Sequence, residues 1–272
     1  MSLTFVDKKK HWPPSKPIQY LLALLALLIA VAVLIGWLYV RFIYTNSASN
    51  DDSKDNTQTG TELPDTAYCL IILEDVGYER FALVKADPIG ETVLITGISP
   101  SLTTTNGTLS AVLQKHGAAR TAQAISSTLN IPVSNYLSFS IDDIQSLFTK
   151  LGENLQFTLS EEVTYRDENG ATVRLAADKR ALTPKQITAI LRHTTWTNEE
   201  SGINVAADLT AALINQCLRP KRSLKGYFEL LSNTAYTNLR IDHYNAYLSG
   251  LEHLASANDG AVAICTDPIL HP

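Results

Sequence analysis

Apolar residues are distributed along the chain in three regimes. Residues 20–40 (YLLALLALLIAVAVLIGWLYV) hold no charge and have no polar face, so no amphipathic surface helix can be drawn through them. Residues 45–64 (TNSASNDDSKDNTQTGTELP) are small, polar and nearly free of apolar groups, the composition of a flexible tether. From Tyr68 onward, short apolar runs alternate with helical patterns. Residues 68–73, 81–85 and 93–98 read as strands, with a turn at Asp87-Pro88-Ile89-Gly90. Residues 109–116 and 119–129 read as helices closed by Asn130 and Pro132. Residues 136–140 alternate as a strand, and Ser140 with Asp143 forms a capping box opening a helix over 141–151. Residues 155–159 and 172–176 are strand patterns around an Asp167-Glu168-Asn169-Gly170 turn. Thr183-Pro184-Lys185-Gln186 combines an N-cap, Pro at the first helical position and Gln at the third. It predicts the helix that carries Ile187, Ile190 and Leu191. Helices are expected over 205–218 and 241–254, and a last short strand over 262–265. The alternation predicts an α/β sandwich.

The uncharged run is long enough to cross a bilayer, since about 20 helical residues span the hydrocarbon layer. Tyr20, Trp37, Tyr39 and Tyr44 sit near its ends, where amphipathic rings favour the interface. A cleaved signal peptide would be shorter and carry a small-residue cleavage site; here the run passes into Arg41-Phe42-Ile43-Tyr44. Lys8, Lys9, Lys10 and Lys16 precede it, and Asp51, Asp52 and Asp55 follow. The positive-inside rule puts the amino terminus in the cytoplasm and the body outside the cell membrane. The expected organisation is a cytoplasmic tail (1–19), a single transmembrane anchor (20–43), a disordered tether (44–65) and an extracellular domain (66–272).

Charge narrows the function. The 272 residues carry 22 basic and 27 acidic groups. Most of the basic excess lies before the anchor, which leaves the outer body net acidic and argues against nucleic acid as a partner. No GxSxG, P-loop or GxGxxG is present. His116, His193, His243 and His253 have no metal-ligand spacing. Glu161-Glu162 reads as a solvated pair, and Arg219, Lys221 and Arg222 as charges complementing a helix end. Cys69, Cys217 and Cys265 are too few and too scattered for a disulfide scaffold.

The order of segments carries more than any single residue. FALVKADPIGETVLITGISPSL resembles the block of the LytR–CpsA–Psr family in which a strand, an Asp-Pro turn and a second strand lead into Ile-Pro-Arg-Asp. GTLSAVLQKHGAARTAQAISSTLNIPVSNYLSFSIDDIQSLFTKLG is similar to the block that follows. LTPKQITAILRH is similar to the family's Leu-x-Gly-x-Gln-Ala-Leu-x-Tyr-x-Arg segment. The resemblance spans residues 66–268 and implies a central mixed β-sheet sandwiched by helices. It also implies transfer of a glycopolymer from a polyprenyl pyrophosphate carrier to peptidoglycan, with arginines on the pyrophosphate and acidic residues on a divalent metal.

On that resemblance Arg192 and Glu79 stand at catalytic positions, Arg80, Lys85 and Gln186 at substrate-binding ones, and Asp75 with Glu79 as ligands of Mg2+. Many of the family's charges are absent. Pro100 and Ser101 replace its Arg-Asp, Gly77 replaces the arginine of its Arg-Ser-Asp-Thr motif, and Thr194 replaces a second arginine. Gly202-Ile203-Asn204-Val205-Ala206 stands where it has an arginine-rich helix start. Each lost charged hydrogen bond to a buried anion is worth roughly 1.5–3 kcal/mol. The expectation is therefore a cell-envelope protein with a degenerate transferase site that binds polyprenyl-linked glycopolymer or assists wall assembly. A divergent active phosphotransferase is the alternative.

Overall fold

The computed structural model describes residues 65–75, 78–220 and 222–271. The anchor expected at 20–43 and all but the last residue of the expected tether lie outside these. Among the described residues no helix is long and apolar enough to cross a membrane.

Three consecutive strands form the middle of the sheet: β1 (Ala67–Asp75), β2 (Tyr78–Asp87) and β3 (Thr92–Ile98). They run antiparallel, with Leu73 opposite Arg80, Glu74 opposite Glu79 and Asp75 opposite Tyr78. β2 turns into β3 where Asp87 accepts from the Gly90 amide, and Glu91 completes the turn at φ 52°. After the β4–β5 hairpin (Thr103–Thr104, Gly107–Thr108) and helix α1 (Leu109–Leu129), β6 (Asn135–Ser140) returns parallel to β1. At the other edge β12 (Ala263–Ile269) lies parallel to β3. Its Pro268 lacks an amide proton, which an edge strand tolerates. With the short β11 (Tyr236–Thr237), the order is β11-β6-β1-β2-β3-β12.

Successive side chains of a strand face opposite ways, and this parity divides the core. Leu70, Ile72, Phe81 and Leu83 pack against Leu109 and Ile125 of α1. Ile71, Leu73 and Ala82 face the other layer, built from α2 (Ile141–Leu151), α3 (Pro184–Arg192), α4 (Glu199–Cys217), α5 (Leu224–Thr234) and α6 (Ile241–Ala257). The mixed sheet flanked by helices is the expected architecture.

Local chemistry explains most element ends. Gly117 (φ 74°, ψ 179°) interrupts α1 between its two expected helical stretches. The Ser140–Asp143 and Thr183–Gln186 capping boxes both form. Two differences stand out. The Asp167–Gly170 turn joins β8 (Val163–Arg166) to β9 (Thr172–Leu175), while β7 (Leu155–Thr158) pairs with β10 (Lys179–Leu182). β8 and β10 are four-residue strands, too short to display a period. Helix α4 begins six residues earlier than expected, because Asn198 caps it through the amides of Glu200 and Ser201. Helix α5 is not among the expected elements; Leu224, Tyr227, Phe228 and Leu231 stand at helical spacing along it, although it contains no fully buried residue.

Candidate functional site

The carboxyl ends of β1 and α3 meet. Ile187, Ile190 and Leu191 anchor α3 in the core, which leaves Arg192 projecting from its last turn. Its Nε donates to Asp75 Oδ2 at 2.6 Å. Asp75 is the more enclosed partner, its side chain 16% exposed against 49% for Arg192. The hydrogen bond to Asp75 raises the Arg192 pKa above its ordinary value. Two residues assigned to the site from sequence, 117 positions apart, are thus brought together.

Arg80 is close by on the same face but otherwise engaged. Its guanidinium donates to the carbonyls of Leu191 (2.8 Å), His193 (2.7 Å) and Gly202. Burial lowers its pKa from the ordinary value. A cation suits the carbonyl end of a helix, and a planar fork can serve three acceptors that an ammonium could not. The expected substrate-binding arginine therefore ties the end of α3 to the start of α4. Trp196 adds to this junction: its Nε1 donates to the His193 carbonyl at 2.8 Å, and its ring packs edge-on to His193. A Cβ on Gly202 would lie 2.9 Å from Trp196 Cδ1. The start of α4 has no room for an arginine at Gly202, and Ile203, Val205 and Ala206 are buried.

Glu79 faces the other way. It accepts from Ser110 Oγ at 2.9 Å and Gln114 Nε2 at 2.8 Å, both on α1. The sheet lies between it and the Asp75–Arg192 pair, so Asp75 and Glu79 do not fit as joint ligands of one Mg2+. The carboxylate opposite Glu79 in register is Glu74, which accepts from Ser138 Oγ. Sequence reading missed Glu74, because one residue of register decides which face of a strand a side chain takes. Among the described residues no three His, Cys, Asp or Glu gather where they could hold a metal. Lys85 pairs loosely with Asp87 at 4.0 Å. It lies six residues from Glu79 along β2, about 20 Å at strand spacing. Gln186 accepts from the Thr183 amide at 2.9 Å as part of its capping box.

Three cavities lie near α3, of which one, the polar cleft, is lined by Arg192. On the helix-rich side of the sheet an apolar cavity of about 270 Å³ runs over Cys69, Ile71 and Leu73 of β1, beneath Ile187, Leu191 and Leu209. A second apolar cavity of about 230 Å³, under α5 and α6, shares Val84, Leu213, Phe228 and Leu254 with it. Burial pushes the thiols lining these walls up, Cys69 to about 12 and Cys217 to about 11. Leu73 and Leu191 place the Asp75–Arg192 pair at one end of this apolar wall. On the other side of α3 lies an open polar cleft of about 590 Å³, bounded by Arg192, Thr188, Gln145 and the β8–β9 hairpin.

No protein-family model and no curated protein matches the chain. Its fold does match solved structures. The described domain has the LytR–CpsA–Psr fold in divergent form. TagV of Bacillus subtilis aligns with TM-score 0.61 at 15% identity, over 76% of this chain and 91% of that one. TagU of the same organism aligns with TM-score 0.54 at 14% identity, over 75% and 84%. A protein of Eubacterium siraeum gives 0.66 at 18% identity, over 80% and 89%.

Proposed function

We propose that this protein is a membrane-anchored component of the cell envelope, its folded domain outside the cell, that binds a polyprenyl-linked glycopolymer carrier without transferring its cargo. The observation that carries this reading is the apolar wall ending at Arg192. A branched hydrocarbon tail suits a cavity lined by Leu, Ile and Phe, and a diphosphate suits a guanidinium, which can donate two parallel bonds to it. Arg192 is half exposed and spends its Nε on Asp75, so an arriving anion competes with Asp75 for the cation. Asp75 then fixes where the guanidinium sits before the ligand arrives.

Binding rather than transfer is supported by the division of charge across the sheet. Arg192 is on the helix-rich face and Glu79 on the α1 face, whereas a metal-assisted transfer needs both at one diphosphate. The phosphotransferase alternative draws on one observation, the facing carboxylates Glu74 and Glu79, two being enough to bind Mg2+ together with substrate phosphates. The test is calorimetric titration of the full chain with farnesyl pyrophosphate, with and without Mg2+. The binding reading expects an affinity that Mg2+ leaves unchanged and that Arg192→Ala weakens by about tenfold or more. Affinity that rises with Mg2+ and falls in Glu79→Gln would establish the alternative, and no affinity at all would reject both.

A further inference from the structure

Helix α5 is held over empty space. Leu224, Tyr227, Phe228 and Leu231 point one stripe inward, yet none of its 11 residues is fully buried. Beneath it lie the two apolar cavities of about 270 and 230 Å³. Side chains that face a void forfeit the contacts that would fix them, and a segment with few buried apolar contacts opens before the rest of its domain. Thr234, in the last turn, is a second sign. Its buried hydroxyl has no hydrogen-bond partner among the described residues. A buried polar group left unpaired disfavours the closed arrangement, and water would supply the partner once the helix lifted.

The two ends of α5 are attached differently. At the carboxyl end Ala235 leaves the helix in an extended conformation (φ −82°, ψ 152°). β11 follows at once, its Tyr236 and Thr237 paired with Ser138 and Leu137 of β6. Asn238 then accepts from the Tyr136 amide and donates to the Ser134 carbonyl. That end is built into the sheet. The amino end is held by Arg222, whose Nη1 and Nη2 lie 2.7 and 3.3 Å from the two carboxylate oxygens of Glu153. These side chains are 39% and 44% exposed, and an exposed ion pair holds weakly even when forked. Phe228 and Leu231 of α5 belong to the lining of both cavities, with the Phe228 ring 5.3 Å from that of Tyr244. Lifting α5 from its amino end withdraws both side chains and joins the cavities.

We infer that α5 is a hinged lid, pivoting at Ala235 and latched by the Arg222–Glu153 pair, whose opening joins the two cavities for a single hydrocarbon chain. What enters rests on the lipid-binding reading; the hinge and the latch do not.

Hydrogen–deuterium exchange of the full chain, read by mass spectrometry, tests both parts. In the wild type the amides of residues 224–234 should exchange at least about tenfold faster than those of residues 205–214 in α4. Arg222→Ala should accelerate exchange in 224–234 by a further factor of about two to five, the value of an exposed ion pair, and leave α1 unchanged. Glu153→Gln should act in the same way. Both positions are exposed, so the fold is expected to survive. Exchange in α5 no faster than in α4, or rates unchanged in Arg222→Ala and Glu153→Gln, would overturn the lid. Geranylgeranyl pyrophosphate is the probe for what enters, and it should slow exchange in 224–234. If the lid opens but the probe leaves its exchange unaltered, the entering hydrocarbon fails with the lipid-binding reading and the lid stands.

Discussion

Arg192 Nε lies 2.6 Å from Asp75 Oδ2, so the last residue of a helix and the last residue of a strand are joined at the end of the apolar wall. Asp75 is at once the partner that positions Arg192 and the competitor for it. Replacing Asp75 by Asn should free the guanidinium and tighten farnesyl pyrophosphate binding several-fold. Arg192→Ala should weaken it by about tenfold or more, the value of one charged hydrogen bond. Titration calorimetry of the two variants decides the matter; weaker binding in Asp75→Asn would mean that the carboxylate orders the site more than it blocks it.

Arg80 makes a different prediction. Its three carbonyl acceptors belong to the end of one helix and the beginning of the next. Arg80→Ala should cost about 3 kcal/mol or more in chemical denaturation. Arg80→Lys should recover little of this, since an ammonium cannot reproduce the fork. A loss below about 1 kcal/mol would show that water replaces the guanidinium without penalty.

Gly97 sits where β3 passes beneath α4. A Cβ there would meet Asn204 Oδ1 and lie 2.9 Å from the Ile203 carbonyl. Gly97→Ala should destabilise by about 1–3 kcal/mol, as overpacking does. Adding Asn204→Ala should restore only part of the loss, because the Ile203 carbonyl is backbone and stays. Thermal melts of the single and double variants measure both terms.

Asp208 supplies a pH-dependent case. Burial raises its pKa, opposed by a hydrogen bond from Cys265. An acid whose folded pKa is raised contributes stability that is fully present below its unfolded value, about 3.9, and is lost as the pH rises through the folded one. Asp208→Asn should therefore melt higher than the wild type at pH 7. That advantage should shrink as the pH falls through the raised folded value and be gone below about 4. An advantage that persists in acid would assign the effect to packing rather than charge.

The extent to which the site was legible follows from the kind of signal each residue leaves. The strand was readable at Leu70 through Leu73, because an unbroken apolar run marks burial on both faces. It gave no guidance at Glu74 and Asp75, two adjacent acids of which either fits an acidic position. Thr183 and Gln186 announced their helix because capping is local. The task of Arg80 was invisible, since its acceptors lie 111 to 122 residues away and are backbone atoms that carry no side-chain signature. Trp196 over Gly202 was hidden for the same reason: a missing side chain records a close approach without saying what approaches.

The first strand also acts as a ruler. Asp65 lines the apolar cavity at one end of the strand and Leu73, eight residues on, at the other, a reach of about 25 Å at strand spacing. Each further stretch of hydrocarbon covers more of that wall, at about 25 cal/mol per Å², until the tail and the strand are equally long. Affinity for prenyl pyrophosphates should therefore climb with isoprene number and then level off. The plateau would report the length of β1 in a binding curve.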